Sequence, residues 1–183
     1  ATQSEISFFY NQKLPWLRKK VAEHRQVINR PEFRRQFVDG EMFPYLGENY
    51  PLEVRPGVNA KDKLTLSHGG FLLRSDNLNG ARDLFVQWYK QMAAEIFAER
   101  VRFYSRRLHL HPVDVRISSA RTRYGSCTSD NKLFFSFRLV MAPYSKIDYV
   151  IIHELAHIKI KDHSPRFWRY VEEVMPDYKA HRT

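Results

Sequence analysis

The sequence has a single cysteine, Cys127, among 183 residues, so no intrachain disulfide can form. A lone thiol fits a reducing compartment, and a cytoplasmic protein is expected. No apolar stretch approaches the ~20 residues of a membrane-spanning helix. The opening Ala1-Thr2-Gln3-Ser4 has no signal-peptide pattern, and the initiator Met is missing, as in a trimmed chain. Internal repeats and low-complexity tracts are absent too. Acidic residues are in the minority, 20 Asp and Glu against 30 Lys and Arg, for a formal charge of +10. Such an excess favours anionic partners, nucleic acid or acidic proteins. The cations are spread over Arg18-Lys19-Lys20, Arg34-Arg35, Arg100 to Arg107 and Arg121 to Arg123. That spacing fits solvated helix faces better than one nucleic-acid footprint.

What is present is ordinary globular composition, 43% hydrophobic and 27% charged. The length suits one domain with a real core. Ile6 to Val27 carries apolar positions at helical spacing (Phe9, Leu14, Trp16, Leu17, Val21). A shorter helical piece is expected from Phe33 to Val38, ending at Gly40. The period then changes. Met42 to Leu46 and Tyr50 to Arg55 flank Gly47-Glu48-Asn49 and read as a hairpin. Leu64 to Leu66 and Phe71 to Leu73, around His68-Gly69-Gly70, read as a second. A long amphipathic helix is predicted from about Ala81 to Leu108, its core stripe drawn through Leu84, Phe85, Trp88, Met92, Ile96, Val101, Phe103 and Tyr104. Strands are predicted over Val113 to Ser118 and Leu133 to Leu139.

Chemistry concentrates at His153-Glu154-Leu155-Ala156-His157, an H-E-x-x-H pattern. On a helix, residues i and i+4 share a face, so both imidazoles can reach one ion while the adjacent Glu faces an activated water. By chance alone the pattern would arise roughly once in fifty such sequences, so its setting matters. A helix is well supported there: Ser145 is the expected N-cap, Asp148 its capping-box partner, and Ile147, Val150 and Ile151 form a buried stripe. Lys159 and Lys161 suit the C-terminal end of the dipole. Catalytic zinc takes three protein ligands and keeps one position open. His163 follows the helix and precedes Ser164-Pro165, an N-cap and N1 pair, so a turn there can return it to the metal. The next helix, about Pro165 to Met175, would pin that turn through Phe167, Trp168, Val171 and Val174. We therefore expect His153, His157 and His163 to bind zinc and Glu154 to act as general base. The rival reading is a charged helix whose histidines face solvent. His109-Leu110-His111 and Cys127 are weaker ligand candidates: the pair complements a helix end, and the thiol is expected to be a buried or turn residue.

The stretch His153 to Trp168 resembles the signature of the YgjP-like metallopeptidases, metal-dependent hydrolases related to the SprT and Spartan proteases. Arg121-Thr-Arg-Tyr-Gly-Ser-Cys127 is similar to that family's Arg-x-Arg-Trp-Gly-Ser-Cys element, with Tyr124 where Trp is usual. Ile147 to Val150, Pro176 to Tyr178, Trp88-Tyr89 and Trp16-Leu17 also fit. The family usually begins with a further hairpin not found before Ser7 and continues past Arg182, so the resemblance implies a shortened chain. It also implies an α+β, zincin-like fold: a small mixed sheet packed on the long helix and the zinc helix. The chain is then one metallopeptidase domain over 1–183, with an N-terminal helix and hairpins over 1–78 and a catalytic core over 79–183. A peptide or protein substrate is implied, lying along the strand Leu133 to Phe137 as an added strand. Arg121, Arg123, Arg138 and Tyr149 are the candidate oxyanion stabilisers. Alternatives are a protease acting on DNA-bound or crosslinked proteins, a zinc-stabilised binding module without catalysis, and hydrolysis of a non-peptide amide or ester.

Overall fold

The computed structural model describes residues 35–57, 63–76 and 78–182. The chain divides into two compact units, Ala1–Gln36 and Phe37–Thr183, and every element named below belongs to the second. The helix expected over Ile6 to Val27 lies outside the described residues. Of the helical piece expected to Val38, residues 35–38 are irregular.

Both hairpins form. Strands β1 (Met42–Tyr45) and β2 (Glu48–Arg55) pair antiparallel. Their turn is two residues long rather than three, with Leu46 and Gly47 both at positive φ (51° and 90°). That is the geometry in which the turn twist matches the strands. Strands β3 (Lys63–Ser67) and β4 (Gly70–Arg74) form the second hairpin, and β4 joins β2 in parallel to give the order β1-β2-β4-β3.

The helix α1 spans Ala81–Leu108, as its periodicity predicts. Its core-facing row shares Phe85, Val101 and Tyr104 with the expected one, and Leu84, Trp88, Met92 and Ile96 pack, partly buried, against the core. Ala81, Phe85, Tyr89, Ala93, Phe97, Val101 and Tyr104 are buried, whereas Phe103 is 49% exposed. A row at mostly four-residue steps follows one ridge of the helix surface. Its alanines do not register in a count of large apolar residues, yet they allow close packing. Phe85 stacks on Phe43 at 4.1 Å, and the Tyr89 hydroxyl donates to the Pro44 carbonyl at 2.7 Å. These contacts seat the first sheet on the start of α1.

Farther along the chain, β5 (Asp114–Ser118), β6 (Gly125–Cys127) and β7 (Lys132–Ser136) form a mixed sheet in the order β5-β7-β6. The strand expected to reach Leu139 stops at Ser136, and Phe137–Met141 turns into a 3-10 helix. Alternation turns Leu133 and Phe135 inward, both fully buried, with Phe135 against Phe97 of α1. The helix α2 (Tyr144–Lys159) carries the H-E-x-x-H segment, followed by α3 (Pro165–Val174) and the short α4 (Tyr178–His181). The N-cap of α2 is Pro143 rather than Ser145, with no side-chain cap. Asp148 is drawn instead into a two-point ion pair with Arg100 of α1, both contacts at 2.6 Å. Among the described residues no helix is long and apolar enough to cross a membrane.

Candidate metal centre and catalytic cleft

The geometry of α2 brings His153 and His157 to one face, and the chain beyond it returns His163 to the same point. The Nε2 of His163 lies 2.9 Å from Nε2 of His153 and 3.2 Å from Nε2 of His157. Tetrahedral zinc with Zn–N bonds of ~2.0–2.1 Å places its nitrogens about 3.3 Å apart, so the three rings fit one ion with slight spreading. Among the described residues this is the one group of three or more potential ligand side chains converging in this way. Cys127 and the pair His109 and His111 are not part of it.

The rings are held from behind. Phe167 of α3 is fully buried and contacts all three imidazoles, with centroids 4.5 to 4.9 Å away. Trp168 stacks on His163 at 5.5 Å, and Tyr178 of α4 stacks on Trp168 at an interplanar angle of 12°. Val171 is buried and Val174 packs at the core edge, so the segment expected to pin the turn does so. Pro165 occupies the first turn of α3 after Ser164, although the serine side chain makes no cap bond. His157 Nδ1 meets the Ile160 carbonyl at 3.0 Å, which fixes a tautomer with Nε2 free to coordinate. His153 Nδ1 is buried and has no hydrogen-bond partner among the described residues.

Electrostatics favour the neutral, coordinating forms of His153 and His157. Burial, with His157, His163 and the Arg182 guanidinium adding to it, pushes His153 down to about 3. The pKa of His157 is lowered by burial, against the hydrogen bond to the Ile160 carbonyl and with the charges of His163 and Lys161 adding to the effect. Glu154 is only 7% exposed, and burial raises its carboxyl to about 7 against the pull of the Arg123 guanidinium. A carboxylate poised near neutrality suits general-base work.

Above Glu154 lies β6, a strand that periodicity could not reveal because it is three residues long. A Cβ on Gly125 would stand 2.6 Å from Cγ and Oε1 of Glu154, so only glycine lets the strand approach this closely. A cavity of about 150 Å3 opens there, lined by Tyr124, Gly125, Tyr149, Val150, His153 and Glu154. The expected substrate strand needs correction. Leu133 to Phe137 forms β7 and its continuation, and β7 is the central strand with β5 and β6 on its two sides. Neither of its edges is open. The edge strands are β5 and β6, and β6 is the one that lies against Glu154. The Tyr124 carbonyl accepts from the Ser136 N–H and the Lys132 carbonyl from the Thr128 N–H. In antiparallel alternation the peptide groups of Gly125 and Cys127 therefore point away from β7.

The four oxyanion candidates separate. Arg138 donates to the Ser119 and Ala120 carbonyls and lies over the Phe137 ring, a structural placement. Arg121 is exposed and lines neither cleft cavity. Arg123 borders the cleft, and Tyr149 lines it beside His153. Arg182 was not expected. It lies 4.1 Å over the Trp168 ring, and its charge acts on both His153 and Tyr149. No local motif marks it, since α4 alone brings the end of the chain back to the site.

Among solved structures, the metallopeptidase zymogen of Pyrococcus abyssi, abylysin, is similar, with 24% sequence identity and a TM-score of 0.43 over 46% of this chain and 87% of that one. No curated protein matches this chain at a significant level. The YgjP-like, metallopeptidase domain family matches over residues 1–183. An α+β chain matched to a metallopeptidase family along its whole length, with three imidazoles gathered on one point, belongs to the YgjP-like metallopeptidase family.

Proposed function

We propose that this chain is a zinc-dependent peptidase in which His153, His157 and His163 hold the ion and Glu154 is the general base. The observation that carries this reading is the convergence of three ring nitrogens beside a buried glutamate whose carboxyl is raised to about 7. Three imidazoles suit zinc, and a set of three ligands among the described residues would leave a position for water. When bound, zinc supplies Lewis-acid activation of a water and of the scissile carbonyl. Glu154 takes the proton of that water and hands it to the leaving amine. The arrangement is of the zincin type.

An extended peptide would add to the outer edge of β6, its main chain pairing with the peptide groups of Gly125 and Cys127. The scissile bond would then lie beside Glu154, a reading supported by the close approach of Gly125 to that side chain. Tyr149 is the candidate donor to the developing oxyanion, as it lines the same cavity as His153 and Glu154.

The test is Glu154→Gln assayed on a mixed peptide substrate, together with zinc content. Loss of hydrolysis with one zinc retained per chain supports the reading. Hydrolysis that survives, or zinc lost with the glutamate, refutes the role assigned to Glu154.

A further inference from the structure

A second cavity adjoins the cleft on the far side of β6. It measures about 80 Å3 and is lined by Ser118, Ala120, Arg123, Tyr124, Ser126 and Phe134, with Gly125 at the shared wall. Register and alternation define its face. Leu133 and Phe135 turn toward the helices, so Phe134 and its partner Ser126 turn the other way. Tyr124 and Gly125 line this cavity and the catalytic one alike. Arg123 is the only charged residue among the described ones that line the second cavity. Among the described residues the Arg123 guanidinium makes no ion pair and no hydrogen bond, although its charge reaches Glu154.

A peptide strand added to the edge of β6 sends successive side chains to opposite faces of the sheet. One set points to α2 and the metal centre, and the other passes over Ser126 and Arg123. The cavity is small, which fits a short side chain better than an aromatic one. Its Ser118 and Ser126 hydroxyls and unpaired guanidinium match a carboxylate, which Arg can bind in two-point fashion.

Resting on the peptidase reading, we propose that this cavity receives an aspartate or glutamate side chain of the substrate, next to the cleavage site, and that Arg123 is the specificity-determining residue for it. The substrate class is therefore an extended, acidic peptide segment. The net charge of +10 favours the approach of such a segment over long range.

The experiment measures binding, so that it does not depend on turnover. Zinc-loaded full chain carrying Glu154→Gln is titrated with fluorescent peptides of one apolar scaffold in which a single Glu, Gln or Lys is scanned through each position. Glu should bind about tenfold tighter than Gln at one position, as expected of a charge-assisted hydrogen bond. Arg123→Gln should abolish that preference, and Arg123→Glu should transfer it to Lys, while Arg123→Lys keeps part of it. Equal binding of Glu and Gln at every position overturns the proposal, as does a preference that survives Arg123→Gln or a failure of all peptides to bind. Turnover of the same peptides by the wild type is read separately. Cleavage without acidic preference removes the role of Arg123 alone, whereas acidic binding without cleavage removes the peptidase reading.

Discussion

Gly125 and Glu154 are packed so closely that the smallest side chain at 125 would stand 2.6 Å from two atoms of the glutamate. Gly125 is not at positive φ, so it is the contact with Glu154, not backbone conformation, that demands glycine. Gly125→Ala must displace either the strand or the carboxylate. We expect a stability loss of about 1–3 kcal/mol from overpacking. A fall of about 100-fold in kcat/KM should accompany it, the usual scale for a shift of ~1 Å in a reacting group. Zinc content should be unchanged, because the three histidines lie outside the contact. Full activity in the variant would show that Glu154 relaxes freely and that its position is not critical.

His163→Ala should strip the metal. The residue supplies one of three converging nitrogens, and removing it costs more than the ~10–100-fold loss seen for groups that only orient a ligand. Elemental analysis of protein prepared without chelator or polyhistidine tag should give one zinc per wild-type chain and little in the variant. Wild type that stays metal-free after zinc is supplied would sink the assignment of all three ligands.

Metal-free stability should depend on pH in two opposing ways. Glu154 is raised from 4.5 to about 7, so its contribution is full below pH 4.5 and is lost as pH rises through 7. His153 is lowered from 6.5 to about 3, so its contribution is full above pH 6.5 and is lost as pH falls toward 3. Glu154→Gln removes only the first. At ~1.4 kcal/mol per pH unit, the variant should be up to about 3 kcal/mol more stable than wild type at pH 8, with no gain near pH 4.5. Urea titrations of both proteins at the two pH values measure this. Equal stability at pH 8 would mean that the carboxylate is better hydrated than its burial implies.

Asp148→Ala should destabilise the chain by about 3 kcal/mol. It leaves Arg100, three-quarters buried, without its two-point partner at the junction of α1 and α2. The pair Arg100→Met and Asp148→Leu should recover most of that loss, since a well-packed apolar replacement is often neutral. Thermal unfolding of the single and double variants checks it. A single variant within 0.5 kcal/mol of wild type, on the scale of an ordinary surface change, would demote the ion pair to a surface contact.

The sequence by itself determined the elements whose signal is local. The spacing of His153 and His157 on a helix, the return of His163 before Ser164-Pro165, both hairpins and the extent of α1 all follow from periods of 3.6 and 2 and from turn chemistry. Tertiary structure decided what depends on partners distant in the chain. Which strands are the sheet edges was settled by the order β5-β7-β6, which closes Leu133 to Phe137 on both sides and leaves β5 and the three-residue β6 outermost. Asp148 follows Ser145 at capping-box spacing, but the guanidinium of Arg100, brought alongside by helix packing, is the stronger partner. Arg182 over Trp168 was likewise invisible in the sequence, and Arg123, one of four candidates there, was singled out only by its charge reaching Glu154 in the fold. A charge carries no periodic signature, and its place in a site is fixed only when the chain between has folded.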